Sequence, residues 1–232
     1  MSESPTPATT TANVTTTNAP DKKVPFYKNP FVIAFLIGAA ILTVLPFFQR
    51  MALRAPPPVA SLGEWQLTDQ DGRVVSNETL KGQVWIASFF FSRCPSVCPQ
   101  QQRDFSQILT HIGDLKADDK APVRLVSFTV DPEFDTPAVL KAWGDKMGVD
   151  SSRWSLLSGP EASIKELLMK RMFVDVGERM PLPGDLFDIS HASKFVLVDQ
   201  NGDVRGYWGT DELARGNIIN AARMIWKYGP TP

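Results

Sequence analysis

The sequence predicts an α/β sandwich. Two apolar runs, VWIASFFF (84–91) and VRLVSFTV (123–130), are each followed by apolar residues at helical spacing, a pattern typical of strand–helix–strand units. Right-handed crossovers would make those two strands parallel. Towards the C-terminus, KFVLVDQNGDVRGYWG (194–209) predicts a strand, an Asn-Gly turn and a return strand. A last helix is expected from about Asp211 to Tyr228.

The N-terminal part has a different character. Residues 1–28 are rich in Thr, Pro, Ala and Asn, so the sequence predicts disorder there. The run PFVIAFLIGAAILTVLPFF (30–48) carries no charge over about the length of a bilayer span, and a transmembrane anchor is predicted at 29–49. A cleaved signal peptide usually has a shorter apolar region and a small-residue cleavage site, and a buried core helix usually keeps a polar stripe. RAPPPVA (54–60) predicts a proline-rich linker over 50–60, followed by one domain over 61–232.

Charge indicates orientation and excludes one class of partner. Lys22, Lys23 and Lys28 precede the apolar run, while Arg50 and Arg54 follow it. This bias weakly favours an N-terminus on the inner, cytoplasmic side of the membrane. Over the whole chain, 24 basic residues face 25 acidic ones. No basic surplus is left for a nucleic-acid partner, and none is predicted.

Within the domain, the sequence predicts one further hairpin and the starts of three helices. WQLTDQDGRVV (65–75) has a Gln-Asp-Gly turn between two strand-like halves. Helices are expected from Pro99, from Thr136 as N-cap with Pro137 in the first turn, and from Pro160. Their buried faces are predicted to be Phe105, Ile108, Leu109 and Ile112; Val139, Leu140, Trp143 and Met147; and Ile164, Leu167, Leu168 and Met172.

Both cysteines of the chain, Cys94 and Cys98, lie at the junction between the first apolar strand and the next helix. A helix N-terminus stabilises a thiolate, so the pair is expected to be deprotonated and partly exposed. Three interpretations remain open. A structural disulfide would close a very short loop, a redox couple would have one residue more than Cys-x-x-Cys, and a site for a soft metal would need a further ligand.

His191 is the candidate for that ligand. DISHASKF (188–195) places it in a predicted loop just before the strand that begins near Lys194. If that strand runs antiparallel to the 84–91 strand, His191 comes to the edge where Cys94 and Cys98 lie. Asp131 follows the 123–130 strand at the same edge, although Asp131 and Asp135 are more simply explained as turn and capping residues. The chain's other histidine, His111, is predicted to be a solvated surface residue.

These features together resemble the Sco/SenC family. The matching residues are a strand ending in CPSVCP (94–99), the DPEFDTP loop (131–137) and a histidine shortly before FVLVDQNGDV (195–204). The resemblance runs from about Leu62 to the C-terminus and includes the single N-terminal anchor. It implies a thioredoxin-like fold, with a mixed central sheet flanked by helices, behind one transmembrane helix.

The family handles copper during assembly of cytochrome c oxidase, so the resemblance implies copper binding by Cys94, Cys98 and His191. Cu(I) is the expected ion, with Cu(II) left open, and Asp131 is a candidate supporting residue whose role also stays open. The implied protein is a metallochaperone of the bacterial inner membrane that faces the periplasm. Its implied partners are the copper-bearing oxidase subunit, at its copper A site, and a periplasmic thiol reductant. The chain departs from the family pattern at Arg93 and Ser96, where His and Asp are frequent.

Two enzyme functions are the alternatives. A thiol–disulfide oxidoreductase could use the same cysteine pair to reduce the oxidase subunit or another copper protein. Thioredoxin-like reductases, however, carry a cis-proline where this chain has His191-Ala192-Ser193, which favours copper handling. A peroxiredoxin-like peroxidase is disfavoured, because no activated single cysteine with a clear arginine partner can be assigned.

Overall fold

The computed structural model describes residues 25–52, 56–94, 98–113, 115, 121–182, 186–191 and 193–230, and gives only the backbone at 26, 47–52, 98, 181, 182, 186, 187, 190 and 191. Most of the predicted disordered segment, at 1–24, and part of the predicted linker, at 53–55, lie outside this range. The chain divides into two compact units, Met1–Ala52 and Leu53–Pro232.

The first unit contains a 3-10 turn, Phe26–Lys28, and helix α1, Pro30–Ala52. The turn lies within the segment 1–28, whose predicted disorder stays a prediction. Phe31, Phe35, Leu36, Ile37, Ile41, Leu42, Val44 and Leu45 of α1 are all more than half exposed or close to it. Among the residues that the structure describes, no helix combines the length and the apolar character needed to cross a membrane.

The second unit is built on a mixed sheet of eight strands in the order β1-β10-β9-β4-β5-β6-β2-β3. The strands are β1 Ala60–Ser61, β2 Gln66–Asp69, β3 Val74–Ser76, β4 Trp85–Phe90, β5 Arg124–Thr129, β6 Trp154–Ser158, β9 Phe195–Val198 and β10 Asp203–Trp208. The predicted 65–75 hairpin is confirmed as β2–β3, and the predicted C-terminal hairpin is confirmed as β9–β10.

Helices cover this sheet at the predicted places. They are α2 Cys98–Ile112, α3 Pro137–Met147, α4 Glu161–Lys165, which continues as a π-helix over Glu166–Arg171, and α5 Glu212–Tyr228. Thr136 caps α3 as predicted, and Asp211 caps α5. The predicted faces of α2 and α4 are buried apart from the half-buried Leu109, whereas α3 buries only Leu140 of its predicted stripe.

Strand directions bring the termini of three strands to one edge of the sheet. β4 and β5 are parallel, with Phe90 opposite Thr129, while β9 runs antiparallel to β4, with Ala87 opposite Val196. β9 therefore begins at the edge where β4 and β5 end, as the sequence analysis required. This edge is called the site edge.

Two features were not predicted. β6 continues the parallel part of the sheet, and β7 Val176–Leu182 pairs with β8 Leu186–His191 in a separate two-stranded ribbon. His191 is thus the last residue of a strand, and its predicted loop position is wrong. Pro181 lies within β7, and both strands of an isolated ribbon are edge strands, which tolerate its missing N–H.

The end of the predicted linker is also part of the fold. The backbone N–H of Val59 donates to the carbonyl of Val204, and Ala60–Ser61 pairs with β10. Arg205, which is buried and paired with Asp199 at 2.6 Å, donates to the carbonyl of Pro56 at 2.9 Å. Residues 56–60 are therefore fixed to β10 instead of serving as a free spacer.

An aromatic cluster fills the core between the sheet and its cover. Phe128 of β5 contacts Trp65, Trp85 and Phe89, with ring centroids 6.0–6.2 Å apart. Phe128, Trp85 and Phe89 are essentially fully buried. Phe128 thus joins the two central strands to the segment before β2.

Replacing Phe128 with alanine is expected to lower the free energy of unfolding by about 3–5 kcal/mol, because the ring leaves a cavity in a packed cluster. The measurement is the urea midpoint at unchanged slope. Leu213→Ala, at an exposed position on α5, is the control and should change stability by less than about 0.5 kcal/mol. Equal losses in the two variants would contradict the central place of Phe128.

Candidate metal site

Cys94 lies in the turn that follows β4. All six residues of β4 are buried, and the turn closes with a hydrogen bond from the Cys94 N–H to the Phe91 carbonyl at 3.2 Å. Cys94 is 6% exposed and belongs to the hydrophobic core. The prediction of partial exposure is therefore wrong for Cys94, which the hydrogen-bonded turn places in the core.

Cys98 is the first residue of α2, in agreement with its predicted position beside the N-cap; its side chain lies outside the described part. One turn further along, Gln102 is fully buried. Its Oε1 accepts from the Ser127 hydroxyl at 3.1 Å and the Ser88 hydroxyl at 3.4 Å, and the two hydroxyls lie 2.6 Å apart. The indole N–H of Trp154 also donates to Ser127 at 2.9 Å, so this network fixes α2 on three strands.

Asp131 follows β5 at the site edge and is 2% exposed. Its carboxylate binds two arginines: Oδ2 accepts from Arg93 Nη2 and Oδ1 from Arg179 Nη2, each at 2.6 Å. Its backbone is held too, because its N–H donates to Thr129 Oγ1 and its carbonyl accepts from the N–H groups of Phe134 and Asp135. The predicted turn role is thus confirmed for the backbone, and the carboxylate has a further role in ion pairing.

Asp135 is buried and hydrogen-bonded to the turn at residues 91–94, here called the cysteine turn. Its carboxylate accepts from the Ser92 N–H at 3.1 Å and from the hydroxyls of Ser92 and Thr129. Burial raises the pKa of Asp135 by penalising the charged form, and the hydrogen bonds from Ser92 and Thr129 oppose that rise. Thr136, and not Asp135, caps α3, so Asp135 is not the capping residue that the sequence suggested.

His191 ends β8 and lies opposite Val176, beside an irregularity in the β7–β8 pairing. Its side chain, like that of Cys98, lies outside the described part, and the predicted ligand set stays a prediction. Among the described residues, no group of three His, Cys, Asp or Glu side chains is arranged to hold a metal ion. His111 is exposed on α2, as predicted.

Sequence reasoning missed several residues that build this edge. Arg179 was not identified because its strand, β7, was not predicted. Ser92, Thr129 and Gln102 gave no signal, since polar residues in or beside an apolar run are common and their partners are distant in sequence. The one available signal was Arg93, which was noted only as a departure from a family pattern.

The mixed sheet flanked by helices, with a cysteine turn and a helix start at the carboxyl end of a central strand, defines a thioredoxin-like α/β protein. Residues 54–227 match the SCO1/SenC family. The chain belongs to that family.

Solved structures of relatives agree with this assignment. A SCO1/SenC family lipoprotein from Bacillus anthracis str. Ames is 32% identical, with a TM-score of 0.62 over 72% of this chain and 95% of that one. Bradyrhizobium japonicum ScoI, solved with copper bound, is 27% identical, with a TM-score of 0.57 over 70% and 96%. BsSco, described as having a disulfide switch and as a member of the Sco family of cytochrome c oxidase assembly proteins, is 29% identical, with a TM-score of 0.59 over 75% and 98%.

Asp135→Asn tests the burial of this carboxylate through the pH dependence of the free energy of unfolding. A raised pKa in the folded state means that the stability contributed by Asp135 is fully present below the unfolded pKa, near 3.8, and is lost as the pH rises through the folded pKa. Since asparagine does not titrate, the unfolding free energy of the native chain minus that of Asp135→Asn should fall as the pH rises from 4. Urea unfolding at several pH values measures this difference.

Asp150→Asn is the control of opposite sign. Asp150 is exposed, and hydrogen bonds from Ser152 lower its pKa, so the corresponding difference should rise with pH. A difference for Asp135 that also rises between pH 4 and 7 would contradict the effect of burial.

Proposed function

We propose that this protein is a membrane-anchored copper metallochaperone that binds copper through Cys94, Cys98 and His191. It delivers the ion to the copper-bearing subunit of cytochrome c oxidase, during assembly of the copper A site. Family membership supports the general role, and the copper-bound structure of a relative supports the cargo. The ligand set and the recipient are specific to the proposal.

The observation that carries the proposal is the antiparallel pairing of β9 with β4. Cys94 comes four residues after β4 ends, and His191 comes four residues before β9 begins. The pairing therefore supports the proposal that Cys94 and His191, almost a hundred residues apart in sequence, lie at the same edge of the sheet.

The donor set fits a soft ion. Two thiolates favour Cu(I), and one imidazole completes a nearly trigonal shell. Cysteine ligands lose their protons on binding, so affinity should fall with falling pH. An oxidised Cys94–Cys98 pair has no thiolates to offer, so copper loading requires a periplasmic thiol reductant.

The domain organisation is part of the proposal: a polar segment at 1–28, an anchor at 29–49, a linker at 50–60 whose last residues, 56–60, are bonded to β10, and a Sco domain at 61–232. Support for the anchor comes from the uncharged run 30–48, from its helical backbone and from the exposed apolar side chains of α1. The described side chains of α1 end at Pro46, so the apolar run continues beyond them. The anchor would place the domain on the periplasmic face of the bacterial inner membrane.

A second candidate function is thiol–disulfide exchange. A disulfide switch is described for BsSco, and Cys98 begins a helix, where a thiolate is stabilised. One thiolate would attack the substrate disulfide, and the other would then displace the reduced substrate, leaving Cys94–Cys98 oxidised.

The anchor is tested by alkaline carbonate extraction of membranes. The mature chain is expected to stay in the membrane pellet and, by mass, to retain residues 30–48, because an uncharged helix of this length is not released by carbonate. Leu36→Arg with Leu42→Arg should release it into the supernatant, since charges at a helix centre are costly in a bilayer. A mature chain that begins after residue 48 would show a cleaved signal instead.

The ligand set is tested by titrating the reduced full chain in detergent with Cu(I) in competition with a chelator. One ion per chain is expected, and His191→Ala should weaken binding by more than about 100-fold, because a direct ligand should matter more than supporting residues, which cost 10- to 100-fold. His111→Ala, which removes the chain's other histidine, is the matched control and should leave affinity unchanged.

The same variants separate the two functions. Unchanged Cu(I) affinity in His191→Ala, together with turnover of a disulfide substrate, would favour the oxidoreductase. Loss of affinity in His191→Ala and in Cys94→Ser, with no turnover in the native chain, would favour the metallochaperone.

A further inference from the structure

The ion pairs of Asp131 join the two segments that carry the proposed ligands. Arg93 immediately precedes Cys94 in the cysteine turn. Arg179 lies on β7 opposite Ile189, two residues before His191. Each arginine takes one oxygen of the same carboxylate, at 2.6 Å in both cases.

Asp131 is itself held in place, so its two ion pairs can link the cysteine turn to the β7–β8 ribbon. It is buried, its N–H is bonded to Thr129, and its carbonyl accepts two further backbone N–H groups. Arg93 is held on a second side as well, because its guanidinium carbon lies 3.8 Å from the ring centroid of Phe134. A charged, directional contact between fixed groups restrains both segments.

The β7–β8 ribbon depends on such restraints. It is a sheet of two strands, separate from the main sheet, and a two-stranded ribbon alone is only marginally stable in water. Its pairing is also irregular between Val176 and Arg179, next to the position opposite His191. The position of His191 therefore needs contacts outside the ribbon's own ladder: Val176 and Ile189 supply apolar ones in the core, and Arg179 supplies a charged, directional one.

We infer that Asp131, bridged to Arg93 and Arg179, is a positioning residue that holds the His191 ribbon against the cysteine turn and is not itself a copper ligand. This inference rests on the proposed function, since it concerns the proposed ligand set. It also gives Arg93, the departure from the family pattern, a role: Arg93 ties the cysteine turn to the bridge.

Charge makes the test selective. Two arginines and one aspartate carry a net charge of +1, so Asp131→Asn raises that charge and Arg179→Gln lowers it. If the bridge acts by position, both variants weaken Cu(I) binding, by about 10- to 100-fold, the range for residues that orient ligands. If the effect were purely electrostatic, the two variants would change affinity in opposite directions. If Asp131 were a ligand, Asp131→Asn would weaken binding and Arg179→Gln would not.

The experiment is a Cu(I) competition titration of the reduced full chain in detergent, with both single variants and the Asp131→Asn/Arg179→Gln double variant. The double variant should match Asp131→Asn alone, because the arginine has no carboxylate left to hold. Opposite signs, an unaffected Arg179→Gln, or additive losses would each overturn the inference.

Asp69→Asn is the matched control. Asp69 is also 2% exposed and paired with an arginine, Arg73, at 2.9 Å. It lies near the edge opposite the site edge. The neighbouring Gln70 donates to the carbonyl of Trp154, and Trp154 begins β6, which runs parallel to β5. Asp69→Asn should leave Cu(I) affinity unchanged, and a loss equal to that of Asp131→Asn would overturn the inference by showing a general effect on folding.

A copper-free measurement separates this inference from the proposed function. In the reduced chain without copper, both Arg93→Gln and Asp131→Asn should speed amide hydrogen exchange over Leu186–His191, although Arg93 is in another segment, while Asp69→Asn should not. Unchanged exchange in Arg93→Gln would overturn the bridge. A native chain that binds no Cu(I) would instead refute the proposed function and leave the exchange result to decide the bridge.

Discussion

The pairing of β9 with β4 is the constraint on which the site edge depends. Because β9 runs against β4 and β4 runs with β5, one rim collects the ends of two strands and the beginning of a third. A parallel β9 would carry His191 to the opposite rim. Backbone hydrogen bonds between fully buried strands set this arrangement, and side chains at the rim refine it.

Buried polar groups provide that refinement. Asp131, Asp135 and Gln102 are each almost entirely removed from water, and each is hydrogen-bonded to groups from other segments. A buried carboxylate or amide without partners would be costly, so each network has one favourable arrangement of the segments that it joins. The rim is thus built with fixed contacts on the cysteine side and, through Arg179, on the histidine side.

Much of this architecture could be predicted from local patterns. The strands at 84–91 and 123–130, the Asn-Gly hairpin and the Thr136 cap depend on periodicity and turn chemistry, which neighbouring residues determine. β6 and the β7–β8 ribbon were not predicted: WSLLS is short, and a proline within a run disfavours a strand. The ion pairs of Asp131 could not be predicted, since they join positions 38 and 48 residues apart. Burial of Cys94 likewise depends on a turn direction that no local pattern specifies.

The network of Gln102 has a mechanical consequence. Anchored through Ser88, Ser127 and Trp154 to three strands, α2 can neither rotate nor slide without breaking several internal bonds at once. The ribbon that ends at His191 is a separate two-stranded sheet, and Arg179 ties it to Asp131 at the edge of the main sheet. The rim therefore combines a helix held on three strands with a ribbon held through an ion pair, so the start of α2 is the fixed part against which the ribbon is positioned.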